Sequence, residues 1–416
     1  MPTAFLVHCT LRATLSACAL LPLALGAVEI PASAASVEQT ASSATASPAL
    51  TTTVATSPAP TAVATPSTVV SNYATRPEVL AWLEELSQAK VLPMEWLTDV
   101  VAVARYSPLS EKYTTPRPKA PRSTTPEKNF RLYAKNLVNN ERIKRGVRFL
   151  NAHREVFDHI EASSGVPRYI VAAIIGIESI YGRNMGRFRV LDALMTLSFD
   201  YTRRADYYRT ELANFLEFCW NEHIEPVSVT GSFAGAIGLG QFMPASLRAW
   251  GMDGDGDGRI DIVESEADGI ASVANFLVGH GWASGVAPLY RVRANDEIFR
   301  ATKSGGIRAH TTIAELLQAG VEPLENIPLP PEEPALLVDL PWTSATGKHV
   351  TDYFIGTRSF SAILRYNRSY FYAAAVTRLA EELEKRWLAE AAKEQKSPQK
   401  QNASEDNASL PATPME

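Results

Sequence analysis

The chain has 416 residues, 46% of them hydrophobic, so it is long enough to bury cores of its own. Its net charge of −5 at pH 7 gives no basic signature and argues against nucleic acid as a partner. Its three cysteines, Cys9, Cys18 and Cys219, exclude a dense disulfide framework.

Residues 1–34 are typical of a signal peptide for export. An apolar stretch over 15–28 precedes a small-residue cleavage site that ends at Ala34. Cys18 also completes a sequence like a bacterial lipoprotein box. We favour cleavage after Ala34, because the apolar stretch follows Cys18 instead of preceding it. Lipid anchoring through Cys18 remains the alternative.

The composition divides the rest of the chain into three parts. Residues 35–72 are almost entirely Ala, Ser, Thr and Pro, and residues 392–416 are polar. Neither segment has enough apolar surface to order itself, so both are predicted to be disordered, the first as a linker. The folded part is therefore predicted to span residues 73–391.

Helical periodicity dominates this folded part. Residues 107–128 are rich in Pro, Ser, Thr and charge, which predicts an extended connector, and Cys219 is expected to pack in a helix. Short apolar runs between 286 and 340 alternate with Gly, Pro and Thr, which predicts a smaller lobe with strands. The predicted fold class is mainly α (α+β). The helical patterns cover residues 77–103, 147–163, 191–197, 205–223 and 366–388.

Glu178 lies near the end of a long apolar run. Pro167 suits a first helical position and Gly182 a position just past a helix end, so the run predicts one capped helix. Tyr181 and two isoleucines would share the face of Glu178, and no Lys or Arg lies in the run. An apolar setting raises the pKa of a carboxyl group, which suits a glycosidase acid. An ordinary solvated glutamate is the alternative.

Acidic residues alternate with glycine from residue 253. The spacing matches the EF-hand calcium loop, in which alternating oxygen ligands surround a hard cation. So many acids would repel one another without a cation, so the loop predicts a bound Ca²⁺. A single exported loop is expected to brace the fold. The expected ligands are Asp253, Asp255, Asp257, Arg259 through its backbone carbonyl, and Glu264 at the twelfth position.

A glycine-rich segment spans residues 231–244. It lacks the Gly-Lys-Ser/Thr of a phosphate loop and the spacing of a dinucleotide fingerprint. Glycines also bring backbone close to a flat ligand such as a sugar, which makes Ser232 and Gln241 candidate hydrogen-bonding residues. A structural turn is the alternative.

Together these segments resemble the lytic murein transglycosylase B family, a family of peptidoglycan lytic transglycosylases. The matching stretches, in the family's order, are residues 174–183, 191–205, 231–246, the acidic loop, 272–276, 280–282 and 365–369.

The resemblance implies a lysozyme-like helical core with an additional helical lobe and a small β-containing lobe. The core would span about 165–282 and include the EF-hand-like loop 253–268. The β-containing lobe would span about 283–352, and closing helices 353–391.

The resemblance also implies the activity. Such enzymes cut the MurNAc-GlcNAc β-1,4 bond of peptidoglycan without water and leave a 1,6-anhydro-MurNAc end. Glu178 would act as acid and then as base, with no cofactor for catalysis. The substrate-binding residues implied are Ser232, Gln241, Tyr133, Arg203, Arg204, Tyr366, Asn367 and Tyr372. A periplasmic monomer acting on glycan strands in cell-wall turnover is expected, with cell-wall synthesis proteins as further candidate partners.

Two questions remain open at this stage. In the family the last metal ligand precedes a Gly-Ile-Ala-Ser-Val-Ala-Asn helix, which is Asp268 here, whereas Glu264 fills the EF-hand twelfth position. A hydrolytic muramidase would need a second acid across the groove, for which Asp192 and Asp200 are the nearby candidates. A catalytically silent, calcium-stabilised peptidoglycan-binding protein is the third interpretation.

Overall fold

The computed structural model describes residues 72–116, 128–302 and 304–396. The predicted signal peptide, nearly all of the predicted linker and the end of the predicted tail lie outside the described residues, as do Cys9 and Cys18.

Helices form most of the described chain, and a short 3-10 turn at Tyr73–Thr75 precedes them. They are α1 (Pro77–Lys90), α2 (Met94–Ala102), α3 (Pro108–Thr114), α4 (Phe130–Leu137), α5 (Asn140–Ala152), α6 (Arg154–Ser164), α7 (Arg168–Glu178), α8 (Val190–Phe199), α9 (Ala205–Asn221), α10 (Pro244–Trp250), α11 (Glu266–Gly279), α12 (Asp296–Ala301), α13 (Ile313–Gln318), α14 (Arg358–Tyr366) and α15 (Tyr370–Lys396).

The strands are short except for one hairpin. They are β1 (Phe188–Arg189), β2 (Thr230–Gly231), β3 (Leu289–Arg293), β4 (Thr311–Thr312), β5 (Glu322–Pro323), β6 (Pro334–Thr343) and β7 (His349–Gly356). β1 and β2 form a two-stranded antiparallel sheet, and the others form an antiparallel sheet in the order β4-β6-β7-β3-β5. The mainly α fold with a small sheet is confirmed.

Helix α7 lies at the centre of the helical core. Its residues from Ile170 to Gly176 are buried, and it packs against α5, α6, α11 and α15. Continuous burial explains why its apolar residues surround the helix instead of forming one stripe. Cys219 is also buried in this core, as predicted, and burial raises the pKa of its thiol.

Strand β6 separates two apolar clusters. Leu336, Val338 and Leu340 pack against the helical core, whereas Ala335 and Leu337 face a smaller cluster shared with α13. Successive side chains of a strand point to opposite faces, so one strand can serve both clusters. The sheet is therefore held against the helices by β6, which carries apolar residues on both of its faces.

The boundaries differ from the sequence prediction in three places. Part of the predicted extended connector 107–128 is helix α3, which begins with Ser107 accepting a hydrogen bond from the Ser110 amide. The single helix predicted over 147–163 is two helices with His153 between them. Strand β7 continues past residue 352, the expected end of the β-containing lobe, because Tyr353 and Ile355 pair with β3 and β6.

Within the described residues, no single helix is long and apolar enough to cross a bilayer. The pair α6 and α7, bent by 117°, passes the same test only when the two helices are taken together.

Candidate active site

Helix α7 ends at Glu178, earlier than predicted. Ser179 follows as the C-cap, and its hydroxyl donates to the Ile175 carbonyl and accepts from the Gly182 amide. Ile180 and Tyr181 both have positive φ, at 54° and 56°. This conformation is strained for a β-branched residue such as Ile180. The carboxyl group of Glu178 therefore lies at a helix end that is followed at once by a strained turn.

The turn carries Tyr181 away from the face of Glu178, so the prediction that these residues share a helix face is wrong. The Tyr181 ring folds back beside Gly146 of α5 and Gly176 of α7. A Cβ atom at either glycine would lie 2.3 Å or 2.5 Å from the tyrosine hydroxyl oxygen. The ring also lies against Phe149, with 5.5 Å between centroids. Two glycines thus provide the space in which this turn packs.

Arg142 joins the ends of two helices. Its Nε donates to the Gly176 carbonyl of α7 at 2.8 Å, and its Nη1 donates to the carbonyls of Asn136 and Leu137 of α4 at 3.0 and 2.8 Å. Helix C-termini carry partial negative charge, which a guanidinium group offsets. Burial lowers the pKa of Arg142. Arg142 therefore fixes α7 relative to α4.

The carboxyl group of Glu178 is held by one hydrogen bond. The hydroxyl of Tyr372, a buried residue of α15, donates to Glu178 Oε1 at 2.6 Å. Burial raises the pKa of Glu178 to about 7, and the Tyr372 hydrogen bond acts in the opposite direction. Among the described residues, no donor reaches Oε2. The side chain is partly exposed, so a ligand can approach it.

Two further tyrosines surround this carboxyl group. The negative charge of Glu178 contributes, after burial, to raising the pKa of Tyr366 and of Tyr133. The Tyr366 hydroxyl donates to the Gly240 carbonyl at 2.6 Å. Tyr133, on α4, packs against Phe371, with 5.6 Å between ring centroids. The structure thus gathers tyrosines from α4, α14 and α15 around the end of α7.

The glycine-rich segment borders the same place. Tyr366 contacts it through the Gly240 carbonyl, and the next residue, Gln241, has a positive φ of 50°. The Gln241 amide nitrogen donates to the carbonyls of Met185 and Gly238 at 3.0 and 2.9 Å, which leaves its amide oxygen for a ligand. Ser232 is partly exposed, and its hydroxyl accepts from the amides of Ala234 and Ala236 within its own loop.

The remaining candidate residues lie around this centre or away from it. Asn367 follows Tyr366, and its Oδ1 is buried with no hydrogen-bond partner among the described residues. Arg203 and Arg204 are exposed just before α9, where the Arg204 guanidinium lies 4.1 Å from the Tyr207 ring centroid. None of the contacts of these arginines is with Glu178 or its three tyrosines.

The acidic loop forms a second cluster. Carboxylate oxygens of Asp253, Asp255 and Asp268 lie within 4.8 Å of one another. Asp257 is exposed outside that group, and so is Glu264. Between the two acids that the sequence left open, the structure therefore brings Asp268 to the loop.

Asp268 is held there by the backbone. It is buried, and its two carboxylate oxygens accept from the Gly254 and Asp261 amides at 2.8 and 2.6 Å. Asp253 accepts from the Gly258 and Gly256 amides, which lower its pKa. Hard oxygen ligands on a fixed backbone fit Ca²⁺. The side chain of Arg259 donates to the Glu222 carbonyl at 2.8 Å.

Some residues of the site could not be found from the sequence. Arg142 binds backbone carbonyls of two helix ends, and the Gly240 carbonyl acts through its main chain. Phe371 supports Tyr133 by ring contact. Such contacts depend on which helices pack together. For Arg142 and Phe371 the sequence indicates only that they lie on helices, through the helical patterns of α5 and α15.

The chain is similar to known proteins over most of its described length. Residues 76–381 match the family described as the Transglycosylase SLT domain. Over 249 residues the chain is 38% identical to the membrane-bound lytic murein transglycosylase B of Escherichia coli K12. This alignment covers 60% of the chain and 66% of the relative.

Solved structures are similar over most of the described residues. The lytic transglycosylase SltB1 of Pseudomonas aeruginosa has 34% identity and a TM-score of 0.68, covering 76% of this chain and 99% of that one. Escherichia coli Slt35 in complex with calcium has 29% identity and a TM-score of 0.64, covering 76% and 96%. Pseudomonas aeruginosa SltB3 in complex with NAG-NAM-pentapeptide has 28% identity and a TM-score of 0.62, covering 73% and 79%.

Proposed function

The chain belongs to the transglycosylase SLT domain family, and we propose that it is a lytic transglycosylase of peptidoglycan. It cleaves the MurNAc-GlcNAc β-1,4 bond without water and leaves a 1,6-anhydro-MurNAc end. The observation that carries the proposal is a single carboxyl group, Glu178, with a pKa of about 7 among three tyrosines. The names of the relatives support peptidoglycan as the substrate.

Glu178 serves both proton transfers. Its protonated form gives a proton to the glycosidic oxygen as the bond breaks. The resulting carboxylate then takes the proton of the muramyl C6 hydroxyl as that oxygen closes on the anomeric carbon. A pKa near the working pH makes both forms accessible. Tyr372 holds Oε1, so Oε2 is the oxygen that faces the substrate.

One carboxylate suffices because the nucleophile belongs to the substrate. A hydrolytic muramidase needs a second acid to hold water. Asp192 accepts from the Arg105 amide and lies 3.5 Å from Arg189, and Asp200 pairs with Arg76 at 2.6 Å. Both candidates are engaged elsewhere, and no other carboxylate in the described part of the chain contributes to the pKa of Glu178. The substrate's acetamido group is then left to stabilise the positive charge that develops.

The sugar contacts follow from the groups left open around Glu178. Gln241 offers its amide oxygen, and Asn367, next to Tyr366, is partly exposed and offers a polar side chain. Tyr133 and Tyr366 provide aromatic surface beside the carboxyl group. Ser232 borders the same loop. Arg203 and Arg204 are farther out and are suited to carboxylates of the muramyl or peptide moieties.

Mass spectrometry of products released from purified sacculi tests this proposal. The native chain releases muropeptides with 1,6-anhydro ends, and Glu178→Gln lowers the release rate by at least about 100-fold, the usual contribution of a general acid. Glu84→Gln, which neutralises an exposed glutamate of α1, is the matched control and retains the native rate.

The products distinguish the three interpretations. Reducing muramic acid ends in place of anhydro ends identify a hydrolase and refute the proposed reaction. Native release by Glu178→Gln, with retained binding to sacculi, refutes a catalytic role for Glu178 and favours a binding protein. Loss of release with retained binding is the expected outcome.

We also propose that the acidic loop binds a structural Ca²⁺ through Asp253, Asp255 and Asp268. The calcium complex of Slt35 supports this assignment by similarity. At 100 times the dissociation constant, a bound ion adds about 2.7 kcal/mol, or roughly 5 °C in melting temperature. Asp268→Asn abolishes the calcium-dependent rise, whereas Glu264→Gln, an exposed acid-to-amide change, retains it. An equal loss in both variants contradicts the assignment.

The proposed location is the periplasm, in keeping with the predicted signal peptide. A relative named as membrane-bound supports an envelope location, and a lipid anchor at Cys18 is the alternative to cleavage after Ala34. Mass spectrometry of the N-terminus of the exported protein distinguishes a diacylated cysteine from cleavage after Ala34.

A further inference from the structure

A cationic groove lies beyond the turn that follows Glu178. Five cations line it, with a volume of 610 Å³, and two of them have acid partners within the groove. Arg145 pairs with Glu141 at 2.5 Å and Arg386 with Glu390 at 2.6 Å. The remaining three cations are Lys144, Arg148 and Arg183.

These three cations are exposed and have no acid partner among the described residues. Lys144 and Arg148 lie on α5, and Arg183 comes directly after the turn at Gly182. The chain as a whole carries a net charge of −5, so this local excess of positive charge runs against its composition. An adjoining hollow of 380 Å³, which shares Arg148 and Arg183, extends it to Tyr181. The arrangement is suited to an anionic ligand.

We infer that this cationic groove binds the carboxylates of a peptide stem on the glycan strand, a role that rests on the proposed function. A solved relative is bound to NAG-NAM-pentapeptide, so a ligand of this family can carry a peptide of that length. A pentapeptide ends in a free carboxylate. Guanidinium groups bind carboxylates through two parallel hydrogen bonds, and Arg148 and Arg183 supply two such groups.

The position of the groove matches the reach of such a peptide. Tyr372, which contacts Glu178, and Arg386 lie on the same helix α15, separated by about 21 Å at 1.5 Å per residue. An extended pentapeptide spans about 17 Å, and Arg183, which lines the groove, follows Glu178 by only five residues. The pentapeptide stem of a muramyl unit at Glu178 is therefore long enough to reach the groove.

The lining argues against a lipid surface. The residues that line the 610 Å³ groove are all charged. Peripheral membrane binding adds inserted apolar or aromatic side chains to basic ones, and the aromatic residues of the adjoining hollow, Phe149 and Tyr181, are buried. The groove is better suited to a single carboxylate group bound by the guanidinium groups of Arg148 and Arg183.

The test compares soluble glycan strands bearing pentapeptide stems with strands from which an amidase has removed the peptides. The measured quantity is the ratio of kcat/KM for the two substrates. The triple variant Lys144→Gln, Arg148→Gln and Arg183→Gln lowers this ratio by about tenfold, since each exposed ion pair contributes a factor of about two to five. High salt lowers the native ratio in the same direction.

A matched control removes three other exposed charges. The control variant carries Lys112→Gln, Arg300→Gln and Lys348→Gln, all at exposed positions outside the groove. It has the same net charge as the groove variant and retains the native ratio. The inference is overturned if the groove variant keeps the native ratio, or if it loses activity equally on both substrates. It is also overturned if the groove variant loses binding to phosphatidylglycerol vesicles while keeping the ratio, because the groove then serves a membrane.

A binding measurement separates this inference from the proposed function. Isothermal titration of the native protein with a free stem pentapeptide, and with the same peptide amidated at its C-terminus, requires no cleavage. Weaker binding of the amide, seen in the native protein and absent in the groove variant, supports the site even if neither strand is cleaved. Equal binding of acid and amide refutes it.

Discussion

Replacing Tyr372 by Phe tests how the site controls the proton of Glu178. The change removes one hydroxyl group from a buried ring and keeps its shape. That hydroxyl donates to Glu178 Oε1 at 2.6 Å and stabilises the ionised carboxylate. Its hydrogen bond lowers the pKa that burial raises, and the two effects together give about 7. Without it, the pKa of Glu178 rises further.

The magnitude follows from the strength of such a bond. A hydrogen bond to a charged group contributes about 1.5–3 kcal/mol, and one pKa unit corresponds to about 1.36 kcal/mol, so the shift is about one to two units. The general acid must be protonated, so the rate falls as pH rises through this pKa. In Tyr372→Phe the alkaline limb of the pH profile therefore moves from near 7 to between about 8 and 9.

The assay is kcat/KM against pH on soluble glycan strands, with anhydro ends measured as product. A ¹³C NMR titration of the Glu178 carboxyl group measures the pKa directly. Tyr370→Phe is the matched control, because its hydroxyl donates to the Gly306 carbonyl and its loss leaves the limb in place. An alkaline limb in Tyr372→Phe at the native pH or below refutes the reasoning.

Three further predictions concern α7 and the helix α5 that packs against it. The native state of Glu178 keeps a proton that the unfolded chain releases, so its contribution to stability is complete below about pH 4.5 and lost by about pH 7. In urea unfolding, the free energy of unfolding of Glu178→Gln should rise by about 3 kcal/mol relative to that of the native chain between about pH 4.5 and pH 7. Arg142→Met leaves three carbonyls without a partner and should cost about 3 kcal/mol, whereas Arg145→Met, which breaks an exposed pair, should cost less than about 1 kcal/mol. Gly146→Ala places a Cβ atom 2.3 Å from a tyrosine hydroxyl oxygen and should cost about 1–3 kcal/mol by overpacking. Gly306→Ala, whose Cβ atom would lie 4.0 Å from the His310 ring, should be nearly neutral.

Features of the site that depend on residues close together in the sequence could be predicted from the sequence. An apolar helix ending in Glu178 implied a raised pKa, because a helix that is apolar all round must be buried by the rest of the fold, whichever elements cover it. The alternating acids from residue 253 implied a cation site, because a contiguous loop brings its oxygens together without help from the rest of the fold. The helical patterns and the small strand-containing lobe followed from local periodicity in the same way.

Contacts between distant segments were decided only by the tertiary structure. Tyr372 meets Glu178 across 194 positions of sequence, and its place depends on α15 packing against α7. Arg142 serves two helix ends that no local pattern pairs. Asp268, and not Glu264, reaches the acidic loop because helix α11 presents it there with both oxygens bound by backbone amides. Local sequence determines which side chains are close along one element, whereas only packing determines which elements meet, and the proton chemistry of Glu178 depends on both.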